Sequence, residues 1–230
     1  MRLSRRMTGL AVMSSAFAAV FLAGAFPLGE PASAQERAAF SASERATLQA
    51  GRLIAHRRIE RRGSLIHFGG TSFQTVDRPI AEVWRAVRNP STYRDLLPQV
   101  ESVRVVARGE REAVVRVGHA YGIIRAAYHL RLRFEERTRD VTFDLDATRP
   151  NDVRSARGFL TLSEWPDDPS RTLVSWGILA AVDDGFVGGI VRPQLHDWML
   201  RVPTTMRSYL QGRGRTRFLA DSGQTTRTSQ

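Results

Sequence analysis

The 230-residue chain contains no cysteine and no lysine. Without cysteine it can form no disulfide bond, no thiolate metal site and no thiol nucleophile. Its five histidines never fall at the H-x-x-x-H spacing of a helical zinc site, so we expect neither a metal ion nor a cofactor. No nucleophile elbow, phosphate-binding glycine loop or close carboxylate pair stands out, and we therefore assign no catalytic residue.

The N-terminus has the pattern of an export signal. Three arginines among the first six residues are followed by an uncharged, largely apolar run over residues 7–29. A short Ala-Ser-Ala sequence ending at Ala34 then fits the small-residue rule for signal peptidase. We predict a signal peptide over residues 1–34, cleaved after Ala34, and a periplasmic or secreted mature protein. The alternative is an uncleaved membrane anchor, because the apolar run approaches the length of a bilayer span.

The charge of the chain is strongly positive, and every basic residue is arginine. The formal net charge of +11 falls to +9 once the three arginines and one glutamate of the signal segment are removed. Such a surplus is typical of proteins that bind nucleic acid or anionic membranes. Outside the cytoplasm we expect no nucleic acid, whereas transient contact with an anionic membrane surface remains open. The alternative is that the arginines reflect genome composition and simply solvate the surface.

From Val100 to Val182 the hydrophobic pattern has a period close to two. In residues 124–135 the even-numbered positions are apolar, whereas the odd-numbered positions are mostly charged. This alternation predicts an antiparallel sheet with one buried and one wet face. A hairpin around Arg61–Gly63 precedes these strands. The predicted strands are 52–60, 65–76, 101–106, 112–121, 123–135, 140–147, 157–165 and 172–182.

Helical spacing predicts a short helix over Ser41–Gln49, two short helices within residues 79–98, and a long C-terminal helix over Val187–Leu210. Pro203 should kink that last helix or split it in two. The order of elements predicts an α+β fold, with a curved antiparallel sheet wrapped around the C-terminal helix. We divide the chain into a signal peptide (1–34), an N-terminal helical lead (35–50), one ligand-binding domain (51–211) and a disordered polar tail (212–230).

Three stretches together resemble a known superfamily. They are Thr71-x-x-x-x-Val76-Asp-Arg-Pro-Ile-Ala-Glu-Val-Trp84, Tyr93-x-x-Leu96-Leu97-Pro98 and Val100-x-x-Val103-x-Val105. Over roughly residues 51–211 the chain is similar to the START/polyketide-cyclase-like (SRPBCC) superfamily. The resemblance implies the helix-grip fold and a cavity for lipids, sterols, quinones, polyketides or other bulky apolar molecules. Some members of the superfamily are enzymes and many are not, so function must be argued from the site.

Within that fold, His119 and Tyr128 should both point into the cavity from neighbouring strands. They could orient a ligand, or serve in acid–base chemistry, or simply be packed core residues. A glycine-rich segment around Phe186 is either a gate or an ordinary strand-to-helix turn. The predicted ligand-binding residues are His119, Tyr121, Tyr128, Trp176, Phe186, Leu195, Trp198 and Val202.

The remaining histidines suggest less. His56 and His67 are symmetric about the predicted hairpin turn, so we expect them to be exposed cross-strand neighbours rather than metal ligands. His196 fits either the rim of the cavity or its interior.

The sequence therefore favours binding of a hydrophobic small molecule or lipid outside the cytoplasm, with transport as one use of that binding and an enzymatic role uncertain. One alternative is a cyclase or hydrolase-like enzyme that uses His119 with Tyr121 or Tyr128. A third hypothesis is an interaction module whose basic face binds an acidic partner.

Overall fold

A computed structural model describes residues 40–63, 65–121, 124–181 and 192–215. Among the described residues, the helices are α1 (Ala42–Gln49), α2 (Ile80–Val87), α3 (Tyr93–Leu96), α4 (Arg192–Leu200) and α5 (Val202–Gln211), with a 3-10 turn at Pro90–Thr92 before α3. The strands are β1 (Ile54–Arg62), β2 (Leu65–Val76), β3 (Val100–Arg108), β4 (Glu112–Tyr121), β5 (Ile124–Glu135), β6 (Asp140–Leu145), β7 (Ser155–Trp165) and β8 (Asp168–Ala181).

The eight strands form one antiparallel sheet in the order β1-β2-β8-β7-β6-β5-β4-β3. Six of the seven strand pairs join strands that are consecutive in sequence. The exception is the pairing of β2 with β8, which leaves β3 to start the second run of strands at the far edge. The predicted α+β fold, with two short helices after the first hairpin, is confirmed.

Helices α2, α4 and α5 contact one face of the sheet, which we call the inner face; the opposite side is the outer face. Even-numbered residues of β5 lie on the inner face, as the alternation predicted, and Leu130, Leu132 and Phe134 are all buried there. Helix α2 contributes Val83 and Trp84 to the same core. This inner core is the largest apolar cluster in the described part of the chain.

The C-terminal helical region is divided in two at Arg201, which lies between α4 and α5. Pro203 occupies the first turn of α5, where the missing N–H costs no helical hydrogen bond. The prediction of a kinked or split helix is therefore confirmed. Residues 187–191, where the predicted helix began, lie outside the described residues.

On the outer face, helix α1 covers one end of the sheet. Its Leu48 is fully buried against Trp165 and Leu173. Ser41 caps the helix and forms a capping box with Glu44, which fixes where the helix begins. The rest of the outer face carries many charged side chains.

The hairpin register differs from the prediction. Arg62 pairs with Leu65, so the turn lies one to two residues later than expected. His56 therefore faces Thr71, and His67 faces Glu60. The prediction that the two histidines are cross-strand neighbours was wrong, because moving the turn along the chain shifts every pair in the hairpin.

Candidate functional site

The inner face and the helices enclose an apolar cavity of about 50 Å³. Strands β5 to β8 supply one wall, while α2, α3 and α5 supply the other. Of the described lining side chains, only Tyr93 and Trp176 contain a nitrogen or oxygen atom; the others are apolar. The lining residues are Val87, Tyr93, Leu96, Leu97, Leu130, Leu132, Val141, Phe143, Leu160, Trp176, Val202 and Met206.

The two polar atoms borne by lining side chains are both occupied by backbone carbonyls. The Trp176 indole N–H donates to Met199 O at 2.7 Å, which ties β8 to helix α4. The Tyr93 hydroxyl donates to Val87 O at 2.8 Å, and burial raises the pKa of Tyr93. Because neither donor is free, a ligand in this cavity meets an apolar surface.

Stacked rings build the floor of the cavity. Phe143 lies nearly parallel to Trp176, with ring centroids 5.0 Å apart. The phenyl ring fits closely over Gly158, since a Cβ there would lie 2.4 Å from Phe143 Cζ. A glycine on β7 is thus needed for the ring to lie flat across the sheet.

His119 and Tyr128 form a second, polar feature on the inner face. The two residues lie diagonally across β4 and β5, because His119 pairs with Ala126 and Tyr128 pairs with Val117. Their rings stack at a centroid distance of 5.6 Å, and His119 Nε2 lies 2.8 Å from the Tyr128 hydroxyl. Neither residue lines the 50 Å³ cavity, although Tyr128 packs against the surrounding core.

A loop after β6 holds the Tyr128 segment in place. The backbone N–H groups on either side of Tyr128 donate to side chains of that loop: Ala127 N to Asp152 Oδ2 at 2.7 Å, and His129 N to Asn151 Oδ1 at 2.6 Å. Strand β6 pairs only with residues 130–135 of β5. The loop therefore continues the sheet where β6 ends, and it restricts the position of the Tyr128 ring.

Burial controls the protonation of this pair. It lowers the pKa of His119, although hydrogen bonding to the backbone of Gln99 and Pro98 opposes the effect. Burial also raises the pKa of Tyr128. At neutral pH the phenol is therefore protonated and the imidazole neutral. We assign the hydrogen bond as Tyr128 Oη–H donating to His119 Nε2, which leaves Nδ1–H for the backbone.

The structure brings together only some of the predicted site residues. Trp176 and Val202 line the cavity, and His119 contacts Tyr128. Leu195 and Trp198 are half-buried on α4 but do not line the described cavity. Phe186 and the surrounding glycines lie outside the described residues, as does the side chain of Tyr121.

His196 occupies an interior position rather than the rim. It is 6% exposed, and its Nε2 forms a hydrogen bond with Gly69 O. Its ring also meets the edge of Phe68 at 6.1 Å. The bond to β2 makes His196 a link between α4 and the sheet.

Several cavity residues were not singled out from the sequence. Tyr93 and Leu96 belong to the short helix α3 and Leu97 follows it directly; four residues are too few to show a helical period. Met206 lies within the predicted C-terminal helix, but helical spacing alone does not show which residues of that helix face empty space. Alternation on β5 had placed Leu130 and Leu132 on the correct face.

Comparison with known proteins adds to this geometry. A family model described as "Polyketide cyclase / dehydrase and lipid transport" matches residues 69–214, more than half of the chain. No curated protein sequence matches significantly. In the described part of the chain, no helix has both the length and the apolarity needed to cross a membrane.

Solved structures share the fold at low identity. The aromatase/cyclase Zhui from Streptomyces sp. R1128 has a TM-score of 0.54 and 20% identity, covering 73% of this chain and 99% of its own. A protein from Thermus thermophilus has a TM-score of 0.52 and 18% identity, covering 66% and 98%. A STAR-related lipid transfer protein from Xanthomonas axonopodis has a TM-score of 0.51 and 12% identity, covering 68% of this chain and 93% of its own. At these identities the likeness shows the helix-grip fold alone.

Proposed function

We propose a function from the premise that the chain belongs to the polyketide cyclase/dehydrase and lipid transport family: it binds a hydrophobic small molecule or lipid between the inner face of the sheet and helices α2, α3 and α5. The observation that carries the proposal is the lining of the inner cavity, where the only polar side-chain atoms already donate to backbone carbonyls. Such a surface attracts apolar ligands by removing their surface from water.

The volume enclosed by the described residues sets a condition on binding. About 50 Å³ is far below the roughly 300–1,000 Å³ of small-molecule sites. We infer that a ligand of ordinary size enlarges this cavity by moving helices away from the sheet. The break at Arg201 allows α4 to move separately from α5, and the polar links between α4 and the sheet include those of Trp176, His196 and Asp197.

The gain from binding is sufficient for such an opening. Burying roughly 300 Å² of apolar ligand surface yields about 7 kcal/mol before the costs of association. A carrier needs to bind and release its ligand, so a moderate net affinity suits this role better than a rigid, permanently open pocket.

The test compares a substitution that fills the cavity with the same kind of substitution on the surface. Leu97→Trp places a large ring in the lining, whereas Val105→Trp adds the same ring on β3, where the valine is 39% exposed. We expect the wild type and Val105→Trp to bind the neutral probe N-phenyl-1-naphthylamine, and Leu97→Trp to bind it at least tenfold more weakly. Equal binding by both variants would contradict the proposal.

Native mass spectrometry of the protein purified from its own host identifies the ligand. We expect an apolar molecule to be retained by the wild type and lost on mild denaturation. A protein that neither retains nor takes up an apolar molecule is not a carrier.

We propose further that the protein works outside the cytoplasm. The support is the signal-like pattern of residues 1–34. When the full chain is expressed, the mass of the mature product should match a protein that begins at Gln35. Ala34→Arg should block that cleavage, because the peptidase requires a small residue there. A mature product that retains residues 1–34 in the wild type would refute this part of the proposal.

The arginine surplus supports transient contact with an anionic membrane as part of delivery. We expect binding to vesicles containing phosphatidylglycerol but not to pure phosphatidylcholine vesicles, with the binding weakened by salt. Equal binding to both kinds of vesicle would argue against an electrostatic contact.

A second candidate function is enzymatic, and the 2.8 Å contact between His119 and Tyr128 favours it. A neutral imidazole beside a protonated phenol can move a proton to or from a bound substrate. If the co-purified molecule changes mass on incubation with fresh protein, as in cyclisation with loss of water, His119→Ala should abolish that change. Undiminished turnover by His119→Ala would leave binding as the function.

A further inference from the structure

The outer face of the sheet carries a second concavity, which we call the outer groove. Its volume is about 480 Å³, within the range of small-molecule sites. It lies on the side of the sheet opposite the inner cavity, so the proposed carrier function does not use it. Its principal lining residues are Arg58, Arg62, Arg133, Arg157, Phe159 and Leu179.

Strand register explains how residues distant in sequence meet in this groove. Arg58 pairs with Gly69, Gly69 with Leu179, and Leu179 with Arg157, so these residues form one row across four strands. The next row runs through Thr71, Gly177, Phe159, Thr142 and Arg133. Glycine in the middle of each row leaves a depression between longer side chains.

The floor of the groove is apolar and closely packed. Phe159 is 8% exposed, and its ring lies over Gly177, where a Cβ would sit 2.3 Å from Phe159 Cε1. Leu179 is half-buried beside it. A flat apolar group placed on this floor would contact the exposed edge of the Phe159 ring and the Leu179 side chain.

The walls are strongly cationic. Four arginines of the outer face and one aspartate line the groove in the described part of the chain; a fifth lining arginine, Arg57, pairs with Asp197 of α4. Arg58 and Arg62 both form ion pairs with Glu60, at 2.8 and 2.5 Å. Arg133 lies 3.4 Å from both Glu112 and Asp144. Arg157, half-buried, makes no ion pair within 4 Å in the described part of the chain, although its strand partner is Asp144.

We propose that the outer groove binds a small anionic molecule with a flat apolar part, such as an aryl carboxylate, sulfonate or phosphate. The anion is held by Arg157 together with the arginines of β1 and β5, and the apolar part rests on Phe159 and Leu179. Arginine suits this role because its planar guanidinium forms paired hydrogen bonds with oxyanions and stacks on rings.

The test uses two probes that differ in one charged group. The anionic probe is 8-anilinonaphthalene-1-sulfonate, and the neutral probe is N-phenyl-1-naphthylamine. Isothermal titration calorimetry measures the affinity of three variants for the anionic probe. Arg157→Gln removes a charge from the groove, Thr142→Trp fills the groove from an exposed position, and Arg104→Gln is the control. Arg104 is exposed on β3 and does not line the groove, so its change alters net charge equally.

We expect Arg157→Gln to weaken binding of the sulfonate about tenfold, through loss of a charged hydrogen bond. Thr142→Trp should weaken it by a similar factor, and Arg104→Gln should leave it within about twofold. Binding of the neutral probe should be unchanged in all three variants. Circular dichroism shows that each variant is folded.

Three results would overturn the outer groove as an anion site. They are no measurable binding of the sulfonate, equal weakening by Arg157→Gln and Arg104→Gln, and parallel loss of both probes in the groove variants. Failure of the proposed carrier function would give a different result. The wild type would not bind the neutral probe, or Leu97→Trp would bind it as tightly as the wild type does.

Discussion

Leu132 and Arg133 are consecutive residues of strand β5, yet they face opposite environments. Leu132 is 3% exposed among the side chains that line the inner cavity. Arg133 projects from the outer face toward Glu112 and Asp144. One backbone thus supports an apolar surface that excludes water and a charged surface that remains in contact with it. The comparison shows that alternate residues of one strand specify the two faces separately.

The sharpest test of that independence is a pair of alanine substitutions. Leu132→Ala should destabilise the protein by about 2–5 kcal/mol, because it removes buried methyl groups and enlarges a cavity. Arg133→Ala should change the free energy of unfolding by no more than about 0.5 kcal/mol. Urea unfolding monitored by circular dichroism measures both. Similar losses from the two variants would show that the outer face contributes to stability as much as the inner face.

Part of the outer face is packed rather than solvated, and Gly177→Ala tests this distinction. The new Cβ would meet the Phe159 ring at 2.3 Å, so the ring must shift. We expect a loss of about 1–3 kcal/mol in the free energy of unfolding. The double variant Gly177→Ala with Phe159→Leu should recover part of the loss relative to the sum of the single variants, because the smaller side chain leaves room. Strict additivity would show that Phe159 is not the obstacle.

Deleting one buried hydroxyl on the inner face should have a smaller effect. Tyr128→Phe removes the hydrogen bond to His119 and should cost about 1 kcal/mol. Tyr93→Phe is a matched control, since it deletes another buried phenol hydroxyl, bonded to Val87 O, far from His119 in sequence. Only Tyr128→Phe should alter the titration of His119 followed by NMR. An unchanged titration would show that the hydroxyl does not act on the imidazole.

The smallest effect on stability is expected from the ion pairs that connect the sheet to helix α5. Asp77 follows β2, and its carboxylate accepts from Arg171 at 2.7 Å and from Arg207 of α5 at 2.7 Å. Burial raises the pKa of Asp77, but hydrogen bonds and charge from Arg207 and Arg171 outweigh it, and the net pKa is lowered. The folded state therefore binds this proton less readily than the unfolded state.

The stability that Asp77 contributes should be fully present above its ordinary pKa of 3.8 and be lost as the pH falls through the lowered value. Asp77→Asn should therefore make stability less dependent on pH in the acid range, with a small loss at pH 7. Unfolding free energies measured from pH 2 to 7 provide the check. An unaltered acid dependence would show that the ion pairs are too solvated to matter.

Local pattern was sufficient for much of the fold. Alternation on β5 placed Leu130 and Leu132 inward, and Pro203 correctly indicated a broken C-terminal helix. Both signals depend only on residues a few positions apart, because side-chain direction follows from the period of the backbone. The inward positions of His119 and Tyr128 followed from the same rule.

Features that depend on register or on long-range contacts were harder to predict. The hairpin turn was placed too early, which misassigned the partners of His56 and His67. His196 lies on a helix with mixed neighbours, and its burial depends on Gly69 of a distant strand. The outer groove depends on arginines from β1, β5 and β7. These strands come together only because the sheet order is β1-β2-β8-β7-β6-β5, which pairs segments distant in sequence.

The hydrogen bond from Trp176 to Met199 has a practical consequence. If ligand entry moves α4 from the sheet, the indole N–H loses its carbonyl acceptor while its ring remains stacked on Phe143. The polarity around one fluorophore would then change with each opening event. Emission from Trp176, isolated by replacing the other three tryptophans with phenylalanine, would report cargo loading in real time without any added label.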